Sequence, residues 1–178
     1  MLDDAAQHVD VQRFDLRLEE LRATYHNHVT DVDIRRLFAS ALMLRLHCRL
    51  EKTLAQRDVI VEELLNLRRD YSLDMAIRDA VGQGLQYALV DAIRDASGEH
   101  RDMLLNRLRE LAYSPPEDAK SREWFAGSLN ILIGDATIKK DALRRETLMK
   151  LLRTLAAEFP EDQAVRQFLA HSTLISMM

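Results

Sequence analysis

Four aspartates, Asp31, Asp74, Asp118 and Asp162, are each followed four residues later by an arginine, namely Arg35, Arg78, Arg122 and Arg166. The steps between successive aspartates are 43, 44 and 44 residues. A spacing this regular means that one structural unit is copied along the chain. It constrains architecture and names no chemistry.

Other columns keep the same spacing. Counting each Asp as zero, position +7 holds Phe38, Val81, Phe125 and Leu169, and +11 holds Leu42, Leu85, Leu129 and Thr173. Offsets of four residues place side chains on one face of an α-helix. Position +8 holds the small residues Ala39, Gly82, Ala126 and Ala170, which let a neighbouring backbone approach closely. Upstream, −10 holds Leu21, Leu64, Leu108 and Leu152, and −7 holds Thr24, Leu67, Leu111 and Leu155. These two columns fall on the helix before each Asp. The repeating unit is therefore a helical hairpin that covers its apolar face by stacking on its neighbours.

Composition supports an all-α reading. Only five Gly and three Pro occur in 178 residues, too few for sheets joined by tight turns. With 47% hydrophobic and 30% charged residues, the chain is neither disordered nor membrane-embedded, and it lacks an unbroken apolar stretch of spanning length. The opening Met1-Leu2-Asp3-Asp4 is acidic and does not read as a secretory signal. The lone Cys48 excludes an internal disulfide and points to a reduced, cytoplasmic setting. A net charge of −4 without a basic block argues against nucleic acid as a partner.

The chain reads as a single domain over 1–178, with about eight helices and an N-terminal helical segment at about 3–28. A helix over about 32–55 opens at Asp31, followed by a break at 56–58 and a helix to about 70. A long helix follows from Asp74 to about 96, closed by Gly98 as a C-cap residue. The next covers about 99–112, before the firm break at Ser114-Pro115-Pro116. Then come about 117–133, a turn at Gly134-Asp135, a helix over about 139–158, and a last helix from about 161. The apolar segment Leu42-Met43-Leu44-Arg45-Leu46 is expected to be buried between neighbours.

Each Asp suits a helix N-cap, where its carboxylate accepts from free backbone N–H groups. Each Arg four residues later can pair with that Asp. The alternative is a ladder of guanidinium groups that clamps an acidic peptide or a phosphate.

The runs Leu108-Arg109-Glu110-Leu111-Ala112, Pro116-Glu117-Asp118 and Phe125-Ala126 resemble tetratricopeptide repeats. So do Leu152-Arg153-Thr154-Leu155-Ala156, Pro160-Glu161-Asp162 and Leu169-Ala170. Arg122 and Arg166 stand where that family carries Trp, and the units here are longer. The resemblance implies an α/α superhelix of antiparallel hairpins whose first helices line a groove for a peptide or protein segment. It carries groove positions onto Arg36, Ser40 and Met43; Asp79, Gln83 and Gln86; Glu123, Gly127 and Asn130; and Gln167, His171 and Leu174. Of these, Arg36, Gln83, Gln86 and Asn130 are the partner-binding candidates. Trp124, which has no matching column, is a further contact candidate.

No catalytic motif or cofactor loop is present, so a non-enzymatic interaction or scaffolding module is expected, without cofactor or metal. His26, His28, His47 and Cys48 do not form a convincing ligand set. The final helix is the first half of a unit, and Phe168, Leu174, Ile175, Met177 and Met178 make a two-fold self-association surface the second expectation.

Overall fold

The computed structural model describes residues 2–48, 53–114 and 118–176, and among these the protein is all-α. Eight helices follow in order: α1 Leu2–Asn27, α2 Val32–His47, α3 Leu54–Asp70, α4 Met75–Arg94, α5 Gly98–Ala112, α6 Ala119–Ile138, α7 Ala142–Glu158 and α8 Gln163–Ser176. Two compact units cover 1–88 and 89–178.

The four aspartates do cap helices. Asp31 accepts from the N–H groups of Asp33 and Ile34, and Asp74 from those of Ala76 and Ile77. Asp118 accepts from Ser121, and Asp162 from Val165. The copying unit is finer than the aspartate column suggests. Thr53, Ser97 and Asp141 occupy the N-cap positions of α3, α5 and α7, and Arg57, Arg101 and Arg145 follow four residues later. From α2 to α8, every helix has this arginine N–H donating to the carbonyl of its cap residue. The seven caps lie 22, 21, 23, 21, 23 and 21 residues apart, so the period is one helix. An arginine near a helix N-terminus is mildly disfavoured by the helix dipole. Its recurrence there calls for another reason, which the packing supplies.

Arg35 does not pair with its own Asp31. Its guanidinium lies 4.2 Å from the centre of the Tyr71 ring and donates to the Val29 and Thr30 carbonyls. Arg122 lies 4.2 Å from the Phe159 ring centre and donates to Asp162, the cap of α8, at 2.9 Å. Tyr71 and Phe159 both sit three residues before an aspartate cap. The arginine thus fastens one hairpin to the next.

In the first unit, α2 packs on α1 and α3. Tyr25 stacks on Phe38 with ring centres 4.9 Å apart, Arg45 pairs with Asp15, and Arg22 donates to both carboxylate oxygens of Glu63 at 2.7 and 2.8 Å. Gly84 of α4 allows the closest approach. A Cβ there would meet Leu64 Cδ1 at 2.7 Å, Leu46 Cδ1 at 3.2 Å and Met43 Cα at 3.8 Å. The small residues Ala39, Gly82 and Ala126 at +8 are buried, as expected. The close contact, however, falls in a second small column at +10, comprising Ala41, Gly84, Ser128 and Ser172.

In the second unit, α6 touches α5, α7 and α8, and α7 touches α8. Phe125, Leu129, Leu132 and Ile133 of α6, Leu104 and Leu108 of α5, and Leu152 and Leu155 of α7 are all buried. Arg144 donates to Asp102 at 2.6 Å and ties α7 to α5.

Several boundaries differ from expectation. α2 ends at His47 rather than near 55, and Gln56, Arg57 and Asp58 lie inside α3, where Thr53 and Gln56 form a capping box. Gly98 is not a C-cap but the first residue of α5. The left-handed position belongs to Ala96, with φ 55°. There the Ser97 N–H donates back to the Ala92 carbonyl at 3.1 Å, a Schellman closure. Gly134 and Asp135 do not form a turn. The apolar face carried by Leu132, Ile133 and Ala136 keeps α6 helical to Ile138, and Lys140, with φ 56°, makes the same closure through Asp141 and Ala136. The Pro115-Pro116 break lies outside the described residues.

Candidate interaction surface

Within each unit, a position that was expected to face a groove meets the next first helix, through Arg36 in the first unit and Asn130 in the second. Arg36 donates from Nε to the Asp74 carboxylate at 3.0 and 3.2 Å. Gln83 donates to the Tyr87 hydroxyl at 3.0 Å. Asn130 Oδ1 accepts from the Ser172 hydroxyl at 2.9 Å and lies 3.1 Å from His171 Nδ1. Gln86 and Trp124 are half-buried and neither is free, and Lys120 Nζ sits 5.1 Å from the Trp124 ring centre. Arg36 and Asn130 thus join neighbouring helices, Gln83 bonds within α4, and no arginine ladder faces solvent through Arg35 or Arg122.

The Leu42-Met43-Leu44-Arg45-Leu46 segment is not wholly buried. Leu42, Arg45 and Leu46 are buried and Met43 is partly so, but Leu44 is 45% exposed and Leu37, seven residues earlier, is 58% exposed. Ile34, Ala41 and Cys48 lie half-buried on the same flank. Spacings of three, four, three and four residues join Ile34, Leu37, Ala41, Leu44 and Cys48 into one apolar stripe. The stripe lies roughly opposite the α2 face that meets α4 through Arg36 and Met43. In later first helices the corresponding +10 positions are covered. Gly84 meets Met43, and Ser172 meets Asn130, each time a +12 residue of the preceding first helix. At α2, Ala41 is half-buried. Sequence reasoning missed this surface because it expected the Leu42–Leu46 segment to be buried between neighbours. The available signal was its second apolar stripe.

Of the self-association candidates, Leu174 is 64% exposed, Phe168 and Ile175 are half-buried, and Met177 and Met178 lie outside the described residues. The columns that are buried in inner helices open up on α8, where Leu169 and Thr173 are half-buried and Ala170 is exposed. They open on α1 too, where Leu21 is half-buried and Thr24 exposed.

Chemistry is sparse. Among the described residues, no group of three or more His, Cys, Asp or Glu is placed to hold a metal ion. His26 and His28 are exposed, and the His47 ring lies 4.5 Å from that of Tyr87. A cleft in the second unit is lined by Asn106, Arg109, Glu110, Tyr113 and Glu158. Burial, and then a hydrogen bond to Glu158, push the Tyr113 phenol up to about 12, so it is a donor and not a base at neutral pH. Burial and the hydrogen bond with Tyr71 likewise push Tyr25 up to about 12. No helix among the described residues is long and apolar enough to cross a membrane. Comparison with protein-family models, with curated proteins and with solved structures finds no match.

Proposed function

We propose that the chain is a non-enzymatic interaction module that receives a protein helix on the open flank of α2. The supporting observation is the stripe of Leu37, Ala41 and Leu44, apolar and accessible on a helix whose other flank is packed. A helix laid there would repeat the side-by-side packing that α6 and α8 make. The likeness to tetratricopeptide repeats supports the reading through its hairpin unit and its use in binding protein segments. A cytoplasmic setting, consistent with the lone Cys48, belongs to the same proposal. Self-association through α8 is the second reading, favoured by exposed Leu174.

A photo-cross-linking side chain placed at Leu37 or Leu44 in cells tests this. Protein adducts are expected from both positions and not from exposed Glu62 of α3. Absence of adducts from both α2 positions would refute the proposal.

A further inference from the structure

We infer that the protein that lies on α2 is a second copy of this chain, joined head to tail, with α8 of one copy packed against α1 and α2 of the next. The inference rests on the reading of α2 as an interaction surface.

Three observations carry it. The first is the kind of helix at each site. α2 with α3, and α6 with α7, are touching pairs of a first helix and its second. α1 carries the −10 and −7 columns of a second helix, through Leu21 and Thr24. α8 carries the columns of a first helix, through Leu169, Ala170 and Thr173. Placed together, α8 of one copy and α1 of another form a hairpin of the same kind.

The second is the match of uncovered surface. The apolar columns are buried at Phe125, Ala126 and Leu129 of α6 and at Leu152 and Leu155 of α7. Their counterparts Leu169, Ala170 and Thr173 of α8, and Leu21 and Thr24 of α1, are half-buried or exposed. In the α6–α8 contact the +12 residue Asn130 meets Ser172 at +10. The same arrangement between copies sets exposed Leu174, at +12, against Ala41, at +10, between Leu37 and Leu44. The polar face of α8 meets an apolar flank only at this residue, which favours a modest and reversible affinity.

The third is charge. Arg122 reaches forward to Phe159 and Asp162 of the following hairpin. Arg166, at the same position on α8, is exposed and holds no side-chain partner among the described residues. Its counterparts in the next copy are His28 and Asp31, both exposed, with Asp31 bonded only to backbone N–H groups. The arginine, ring and carboxylate that clamp α6 to α8 are thus all present, divided between two surfaces. Such an interface joins different surfaces and can be extended copy by copy, whereas a two-fold contact through α8 stops at the dimer.

Sedimentation and light scattering of the purified chain, from about 1 µM to about 1 mM, provide the test. The expected result is a mass that rises with concentration and passes the dimer. Leu44→Glu and Leu174→Glu each leave a monomer with an unchanged melting temperature, since both side chains are exposed, and Leu37→Glu repeats the effect of Leu44→Glu. Mixing the Leu44→Glu and Leu174→Glu chains gives a complex that stops at one of each, because each chain retains one intact surface. A wild-type chain that stays monomeric throughout overturns the inference. So does a dimer that survives Leu44→Glu, which would point to the two-fold contact. Adducts from Leu37 that contain a different protein, with a monomeric chain, overturn the inference and leave the interaction reading standing. A monomeric chain without adducts removes both.

Discussion

The Arg122 guanidinium lies 4.2 Å from the centre of the Phe159 ring, so that a cation at the start of α6 is held on an aromatic at the end of α7. It also donates to Asp162, and both side chains of that ion pair are more than nine-tenths buried. Removing one partner of a buried pair leaves the other charge uncompensated, which costs more than the pair contributes. Arg122→Ala is expected to lower the unfolding free energy by about 3 kcal/mol, measured by urea denaturation. Arg122→Lys should recover less than half of that, because an ammonium lacks the planar fork that stacks and donates together. Equal stability of the Ala and Lys variants would refute the clamp.

Gly84 and Gly134 are both helical glycines, yet alanine should act on them in opposite directions. At Gly84 the added methyl would sit 2.7 Å from Leu64 Cδ1, and Leu64 is fully buried and cannot swing into solvent. Overpacking of about 1–3 kcal/mol exceeds the helix-propensity gain of about 1 kcal/mol. Gly84→Ala should therefore destabilise the protein. At Gly134 no described residue lies within 4 Å of the added carbon, so the propensity gain stands alone and Gly134→Ala should stabilise by up to about 1 kcal/mol. Thermal melts of the two single variants decide the matter.

What could be read in the sequence followed from how uniquely a residue type reports its position. The aspartate caps were visible because one residue type recurs four times. Thr53 and Asp141 do the same work at α3 and α7, Ser97 holds the cap position of α5 without a side-chain bond, and all three were missed, since N-cap positions accept several side chains. Arg57, Arg101 and Arg145 would have revealed them and halved the period. The exposure of Leu37 and Leu44 could not be read. Periodicity marks an apolar flank but does not say whether a neighbour arrives to cover it. Likewise, the forward reach of Arg35 and Arg122 depends on where Tyr71 and Phe159 are brought by packing, and no local rule places them. The contact made by Asn130 could not be read for the same reason. A polar side chain such as Asn130 serves a bound peptide or an adjacent helix equally well, and here α8 is the adjacent helix.

The two left-handed turn residues offer an easy gain in stability. Ala96 and Lys140 adopt φ values of 55° and 56°, a region that crowds any Cβ. Glycine relieves that crowding, while its looser unfolded chain returns part of the benefit. Lys140→Gly, at an exposed position, should raise the unfolding free energy by about 0.5–1 kcal/mol, as should Ala96→Gly. A decrease for both in chemical denaturation would show that these closures carry no strain.

Acid stability should report the Arg36–Asp74 link. Burial of the Asp74 carboxyl opposes ionisation, but the Arg36 hydrogen bond and the N–H donors of Ile77 and Ala76 together outweigh it and hold the group below its ordinary 3.8. A carboxylate depressed in the folded state stabilises the protein above its unfolded value. That contribution disappears as the pH falls from about 4 through the lower folded value. Arg36 is half-exposed, so solvent screening limits the link to no more than about 1 kcal/mol. Arg36→Gln should therefore destabilise the protein at pH 7, and the difference from wild type should shrink steadily below about pH 4 as Asp74 is protonated in both chains. Melting temperatures across that range provide the check. A difference that stays constant with pH would mean that Arg36 acts through the packing of its stem, and that its charge contributes nothing to holding α2 against α4.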